Sequence, residues 1–276
     1  MTQGGNGPSG ESLTIEQAIA NIQGSDLSLR VYAAWWLGRF RVSDPQAVDV
    51  LILALADEDD RTDAGGYPLR RNAARALGKL GDRRAVQPLM DSLQCSDFYV
   101  REAAAQSLEA LGDATCAAVL IQLLKGEIPG TLPAPEQGDL AEPYDAILEA
   151  LGSLGITDAI PLIKPFLTHS IERVKYAAAR ALYQLASSAG EAAQYGNILV
   201  KALDGDDLQL RRAALADLGA IGYLGAAGAI ADTLAENSLK LIALKGVLEK
   251  QVQRSATDDD LSEGAVHVME LMDSLL

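Results

Sequence analysis

The chain is 276 residues long, half hydrophobic, poor in aromatics, and carries a formal net charge of −15. That charge argues against nucleic acid or an anionic membrane as the main partner. No apolar run approaches the ~20 residues that cross a bilayer, so integral membrane association is not expected.

Met1–Ser12 is rich in Gly and Ser and reads as a disordered tail without the basic and apolar regions of a secretory signal. Within it, Gly5-Asn6-Gly7-Pro8-Ser9-Gly10 matches G-x-G-x-x-G only formally, because it follows no strand and opens no helix. Beyond the tail one motif returns: apolar-Arg-x-x-Ala-Ala-x-x-Leu-Gly-x-apolar, clearest at Leu29–Phe40, Leu69–Leu80 and Val100–Leu111. Such self-similarity predicts an all-α solenoid of about six to seven helix hairpins, with a crescent shape.

With the Leu-Gly step as ruler, the marker falls at Gly38, Gly78, Glu109, Gly152, Tyr183 and Gly219, and weakly at Gly246. The successive intervals from Gly38 to Gly219 are 40, 31, 43, 31 and 36 residues, which makes the unit about 31 residues, two helices and two tight turns. The long intervals hold the acidic insertion Asp57–Gly66 and the Pro- and Gly-rich stretch Lys125–Pro143. The predicted organisation is therefore a first set of repeats at 13–124, a linker or insertion at 125–143, and a second set at 144–276 that ends in a capping helix, Leu261–Leu276.

Counted from the marker, position −9 holds Leu29, Leu69, Val100, Val174 and Leu210, and −5 holds Ala33, Ala73, Ala104, Ala178 and Ala214. Position −1 holds Leu37, Leu77, Leu108, Leu151, Leu182 and Leu218, and +2 holds Phe40, Leu80, Leu111, Leu154, Leu185 and Ile221. Steps of four, four and three put all of them on one helical face, the expected core. The second helices are read at Pro45–Leu55, Ala85–Leu93, Ala117–Leu124, Ala159–Leu167 and Ala226–Leu234. Arginine recurs at −8 as Arg30, Arg70, Arg101 and Arg211, with Lys175 in the fifth repeat. A charge that returns with the period reads as a structural ladder between repeats.

Positions −7, −3 and +1 lie opposite the core, and there the repeats stop agreeing. They run Val31, Trp35, Arg39; then Arg71, Arg75, Lys79; then Glu102, Gln106, Ala110; then Asp145, Glu149, Ser153; then Tyr176, Arg180, Gln184; then Arg212, Ala216, Ala220. Both tryptophans, Trp35 and Trp36, sit beside Tyr32. Solvated helix faces explain the acidic residues alone, but the aromatic group and the basic trio Arg71, Arg75 and Lys79 point to a ligand surface or a partner-protein hot spot.

Other chemistry is not signalled. The insertion from Asp57 lacks a calcium loop's bidentate Glu, since its twelfth position is Pro68. His169 and His267 are isolated and read as surface or capping residues, and Cys95 and Cys116 form neither a disulfide framework nor a metal spacing. A reducing, cytoplasmic setting is the default for two such thiols.

The wording of the repeats is more specific than their period. Val31–Phe40 with its Trp-Trp pair, Gly65–Gly78 (GGYPLRRNAARALG), Tyr99–Ala104, Arg173–Ala181 and Glu236–Gly246 resemble the E subunit of E/F-type phycobilin lyases, and the resemblance spans about residues 27 to 250. It implies a HEAT-like solenoid from a cyanobacterium that forms a heterodimer with a homologous F-type subunit. The pair attaches phycocyanobilin, a linear tetrapyrrole, by a thioether bond to a cysteine of the phycocyanin α subunit, without metal or nucleotide. On that reading Arg71 and Arg75, with Lys79 or Arg39, take the two propionates. Trp35, Trp36, Tyr67, Tyr99 and Tyr176 offer aromatic faces, and Arg180 lies in the same lane. Glu102 is the first choice of carboxylate for the pyrrole N–H groups and for proton transfer, with Asp145 or Glu149 second. The alternatives are a non-catalytic adaptor that grips the phycobiliprotein, and a subunit of the related lyase-isomerase for phycoerythrocyanin.

Overall fold

The computed structural model describes residues 13–125, 142–254 and 261–276. The predicted tail at 1–12, nearly all of the 125–143 linker and Asp258-Asp259-Asp260 lie outside the described residues. Among those residues the regular structure is helical throughout, and no helix is long and apolar enough to cross a membrane.

The chain divides into two compact units, with the boundary between Cys116 and Ala117. The first contains α1 (Ile15–Gln23), α2 (Leu27–Arg39), α3 (Pro45–Ala54), α4 (Pro68–Leu80), α5 (Val86–Ser92) and α6 (Phe98–Leu111). The second contains α7 (Ala117–Leu124), α8 (Tyr144–Ser153), α9 (Ile160–Ile163), α10 (Glu172–Leu185), α11 (Ala189–Ala202), α12 (Leu208–Ile221), α13 (Ala227–Asp232), α14 (Asn237–Arg254) and α15 (Glu263–Asp273). The first helices of the repeats pack as rows: α2 on α4 on α6 in one unit, and α8 on α10, then α12 on α14, in the other. Helix α7, read from the sequence with the first set of repeats, packs on α8 and α9 of the second unit.

Side-chain caps start many of these helices. Asp26, Asp97 and Asp207, each twelve residues before the marker, accept from backbone N–H groups of the first turn of α2, α6 and α12. At the other end, three residues past the marker, the backbone turns left-handed at Gly81, Gly112, Gly155 and Gly222. In the first repeat that position is Arg41, whose φ is 48°. A side chain there costs about 1 kcal/mol that glycine avoids.

The Leu-Gly marker itself is explained by helix contact. A methyl group built on Gly38 would lie 2.8 Å from the Cα of Ala76, and one on Gly152 only 2.5 Å from the Cα of Ala181. Gly78 faces Ser107 and Gly219 faces Ala243 in the same way. At these positions the first helices therefore lie directly on one another, and the −5 alanines and −1 leucines behind the contact are fully buried or nearly so.

Part of the predicted core stripe is corrected. Leu29 and Phe40 are exposed, because α2 is preceded by the nine-residue α1 and not by a full repeat. Leu80, Leu111 and Leu154 are half-buried at the ends of their helices. Two helices absent from the sequence reading also appear, α1 and α11. The second helix at 159–167 is broken, with Pro165 inside a tighter terminal turn, Lys164–Thr168.

Gly152→Ala should destabilise the second unit by about 2 kcal/mol through overpacking. Gly190→Ala, with nothing within 4 Å of the added methyl in α11, should be neutral or stabilising. Urea midpoints of the two variants check this; equal midpoints would remove the contact as the origin of the marker.

Candidate functional site

Once the Ala and Leu stripe is buried, the face opposite it on α2, α4 and α6 is left to solvent. Trp35 is 45% exposed and its ring lies 5.5 Å from that of Tyr32. These two rings, with Leu27, Ser28 and Val31, wall a recess of about 480 Å³ between α2 and α4, completed by Asn72 and Asp60. Asp60 is buried and accepts the backbone N–H of Leu69. Burial pushes its carboxyl above the ordinary carboxylate value.

A second recess, of about 590 Å³, lies further along α4, toward α6. Arg75, Gly78, Lys79, Gln106, Ser107 and Ala110 line it, and Arg41 closes it from the turn after α2. Arg75 stands 3.6 Å from Glu102, which is half-buried, so the basic and acidic candidates meet here. Arg71 does not join this recess. Its guanidinium sits 5.8 Å from the ring of exposed Tyr99, and its Nε is buried without a hydrogen-bond partner. Trp36 is half-buried and packs on Phe40 at 5.0 Å, while Arg39 is exposed.

The arginines at −8 are engaged elsewhere. Arg30 donates to the carbonyl of Ile22 at 2.9 Å and pairs with Asp57. Arg70 donates to the carbonyls of Ala56 and Asp57 and pairs with Glu58. Arg101 holds the carbonyls of Cys95 and Ser96, and Arg211 those of Gly205 and Leu234. The acidic insertion serves this frame: Asp57 accepts from the backbone of Asp59 and Asp60, and Glu58 accepts from the hydroxyl of Tyr67.

Several sequence-predicted positions are not on an open face, and the lane expected there is corrected. Tyr67 is buried, with its ring under the guanidinium of Arg70 at 4.1 Å. Tyr176 is buried in the core around α12. Asp145, Glu149 and Arg180 enter a buried charge cluster with Arg173 and Asp217. Arg173 reaches Glu149 at 2.5 Å, Asp217 at 3.2 Å and Asp145 at 3.4 Å, and Arg180 reaches Glu149 at 2.7 Å and Asp217 at 3.3 Å. Three carboxylates thus face two guanidiniums. Burial pushes Glu149 up to about 7 and raises Asp217 as well, against the pull of the arginines.

A further cleft of about 780 Å³ in the second unit is lined by Tyr183, Tyr223, Ser187, Ser188, Lys250 and Gln251 among others. Tyr183 occupies a marker position where Gly would let helices touch, and its ring meets that of Tyr223 at 5.5 Å. His169 is buried beside Phe166, and its Nδ1 accepts the N–H of Ile171 at 3.0 Å. Cys116 is buried and Cys95 half-buried, and both are free thiols. Sequence reasoning missed Arg41, Asp60, Asn72, Arg173 and Asp217. Of these Arg41 carried a signal, since it stands at a position that holds Gly in four other repeats; Ala186 is a second departure there, with an ordinary backbone conformation.

Helix pairs with a Gly-marked contact define a HEAT-repeat protein. Accordingly, a family model for HEAT repeats matches residues 67–131 and 141–219, and one for the PBS lyase HEAT-like repeat matches residues 29–57. Phycocyanobilin lyase subunit alpha of Microchaete diplosiphon is 69% identical over 265 residues, which cover 96% of this chain and 90% of that protein. The protein of the same name from Nostoc sp. strain PCC 7120 is 61% identical over 267 residues, 97% of this chain and 95% of that protein. In the structure of the complex of CpcE and CpcF of phycocyanin lyase from Nostoc sp. PCC7120, one chain is similar over 100% of both chains, with a TM-score of 0.87 and 59% identity. This chain belongs to the family of phycocyanobilin lyase alpha subunits.

The buried cluster gives a pH dependence of known sign. Glu149 holds its proton more tightly in the fold, about 7, than at its ordinary 4.5, so this stabilisation is complete below pH 4.5 and lost as pH rises through about 7. Thermal unfolding should show a loss on the order of 2 kcal/mol between pH 5 and pH 8, and Glu149→Gln, with charges balanced, should remove most of it. A variant as pH-sensitive as the parent would place the dependence elsewhere.

Proposed function

We propose that this chain is the subunit of a heterodimeric bilin lyase that holds phycocyanobilin while a cysteine of the phycocyanin α subunit is joined to it. The observation that carries the site is the pair of recesses flanking α4. One is aromatic, at Tyr32 and Trp35, and the other cationic, at Arg75 and Lys79. Asn72 lines the first and Arg75 the second, one helical turn apart, so a single extended ligand can touch both. A linear tetrapyrrole asks for that combination. Its conjugated rings stack on Trp35 and Tyr32, its propionates meet Arg75 and Lys79, and Asp60 offers the aromatic recess a carboxylate for pyrrole N–H groups.

The reaction adds a thiol across the ring-A ethylidene. The acceptor sulfur forms a bond to one carbon as the π bond breaks, and the other carbon takes a proton. Atoms and electrons balance without a redox partner or nucleotide, so no cofactor is invoked. The protein contributes orientation, which is worth several kcal/mol when reacting groups are held in place. Glu102, 3.6 Å from Arg75, is the carboxylate we assign to the proton step. Both recesses are open on one side, and the relatives form a complex with an F-type chain. We infer the same partner here, closing the pigment against solvent, and a cytoplasmic setting in which the acceptor thiol stays reduced.

Covalent attachment tests the reading. A mixture of this chain, the F-type partner, apo-phycocyanin α subunit and phycocyanobilin should yield pigment that stays on the acceptor in acidic urea, and omission of this chain should abolish it. Undiminished attachment without the chain would leave only an adaptor role. Trp35→Ala should weaken bilin binding about tenfold, and the double variant Arg75→Glu, Lys79→Glu by more. Full transfer by Glu102→Gln would remove Glu102 from the proton step.

A further inference from the structure

We propose that Arg41 is a carboxylate-binding residue of the cationic recess, presented there from a left-handed position that holds glycine in four other repeats. The inference deepens the bilin reading and rests on it. Three residues past the marker the chain adopts a left-handed turn in five repeats, and at Gly81, Gly112, Gly155 and Gly222 the position is glycine; in the fifth repeat Ala186 keeps φ at −63° and no such turn forms. Arg41 is the one residue other than glycine with positive φ among the described residues. A β-carbon there is unfavourable, and arginine has none of the local side-chain hydrogen bonding that lets Asn or Asp tolerate the region. Glycine would relieve that conformation at the loss of one side-chain hydrogen bond, so the fold gains little from arginine here, and what sets the side chain apart is where its far end lies.

That far end is in the right place. Arg41 is exposed, spans from the turn after α2 to the end of α4, and donates through Nη1 to the carbonyl of Lys79 at 3.2 Å. This bond fixes one edge of the guanidinium and leaves the rest of its fork in the recess with Arg75 and Lys79. Arg75 already faces Glu102, so its charge is partly answered, and no carboxylate pairs with Arg41 among the described residues. Three cations against one carboxylate leave room for an organic dianion. A fork anchored by a backbone carbonyl is preorganised for bidentate contact with a carboxylate. The ligand class is a flexible dicarboxylate with a conjugated body, and for this family's substrate the groups are the two propionates.

The only structural duty visible for Arg41 is its bond to the Lys79 carbonyl, which Arg41→Gly loses while relieving the left-handed strain. The two effects oppose each other, so the melting temperature of that variant should stay close to the parent's. Arg41→Ala keeps the strain and loses the bond, so it should melt lower. Both variants, in complex with the F-type partner, are titrated with phycocyanobilin and with its dimethyl ester, with bilin absorption as the readout. The parent should prefer the free acid by about tenfold or more, and both variants should lose most of that preference with little change for the ester. An Arg41→Gly complex that keeps the parent's preference overturns the role of Arg41 alone; equal affinity of the parent for acid and ester overturns it together with the propionate contacts of Arg75 and Lys79, while pigment binding itself stands. A parent complex that binds neither pigment brings down the bilin reading, and this inference with it.

Discussion

The whole arrangement depends on how closely one helix can lie on the next. Where Gly38 meets Ala76, or Gly152 meets Ala181, a single methyl group has no room, so the backbones touch and the row of first helices becomes rigid. That closeness has a second effect. It turns the −5 and −1 positions inward and leaves the opposite face of each helix uncovered by its neighbours. The open face is thus a by-product of the packing, and the residues on it are free to differ from repeat to repeat.

What distinguishes the two units is how they answer the charges they carry. In the first, Arg30, Arg70 and Arg101 are occupied with loop carbonyls and with Asp57 and Glu58, which removes them from ligand duty. Arg75, Lys79 and Arg41 remain around a recess, a positive spot on a strongly acidic chain. In the second unit the equivalent positions fold inward: Asp145, Glu149 and Arg180 join Arg173 and Asp217 in a buried cluster. A buried ion cluster is expensive unless its members satisfy one another, so those side chains serve the fold.

The sequence made the repeat legible because a period can be counted. The −1 leucines and −5 alanines were placed in the core on spacing alone, and they are there. Leu29 and Phe40 were placed with them and are exposed, because a periodic argument treats the first repeat as if another preceded it. Helix α1 had a readable signal in the capping box of Thr14 and Gln17, whereas α11 carries Gly190 and Gly196 and no comparable stripe. Of the residues that line the two recesses, Trp35, Arg75 and Lys79 could be singled out by asking which positions vary. Asp60 could not, since its part is set by an insertion folding back to the N–H of Leu69. Nor could the burial of Glu149, which depends on arginines 24 and 31 residues away.

The departures from the repeat are the most informative residues in the molecule. Tyr183 stands where the marker asks for Gly; it meets Tyr223 and borders a cleft of the second unit. Arg41 stands where the turn asks for Gly and borders the cationic recess of the first. Each sets a packing or backbone preference against space or charge at one place. A repeat fold makes such exchanges visible, because its other copies state what the position would hold if stability alone decided. In a protein with unrelated helices the left-handed arginine would be one irregularity among many. Here four glycines at the same step give it a reference, and its charge, lying beside Arg75 and Lys79, is what the exchange obtains.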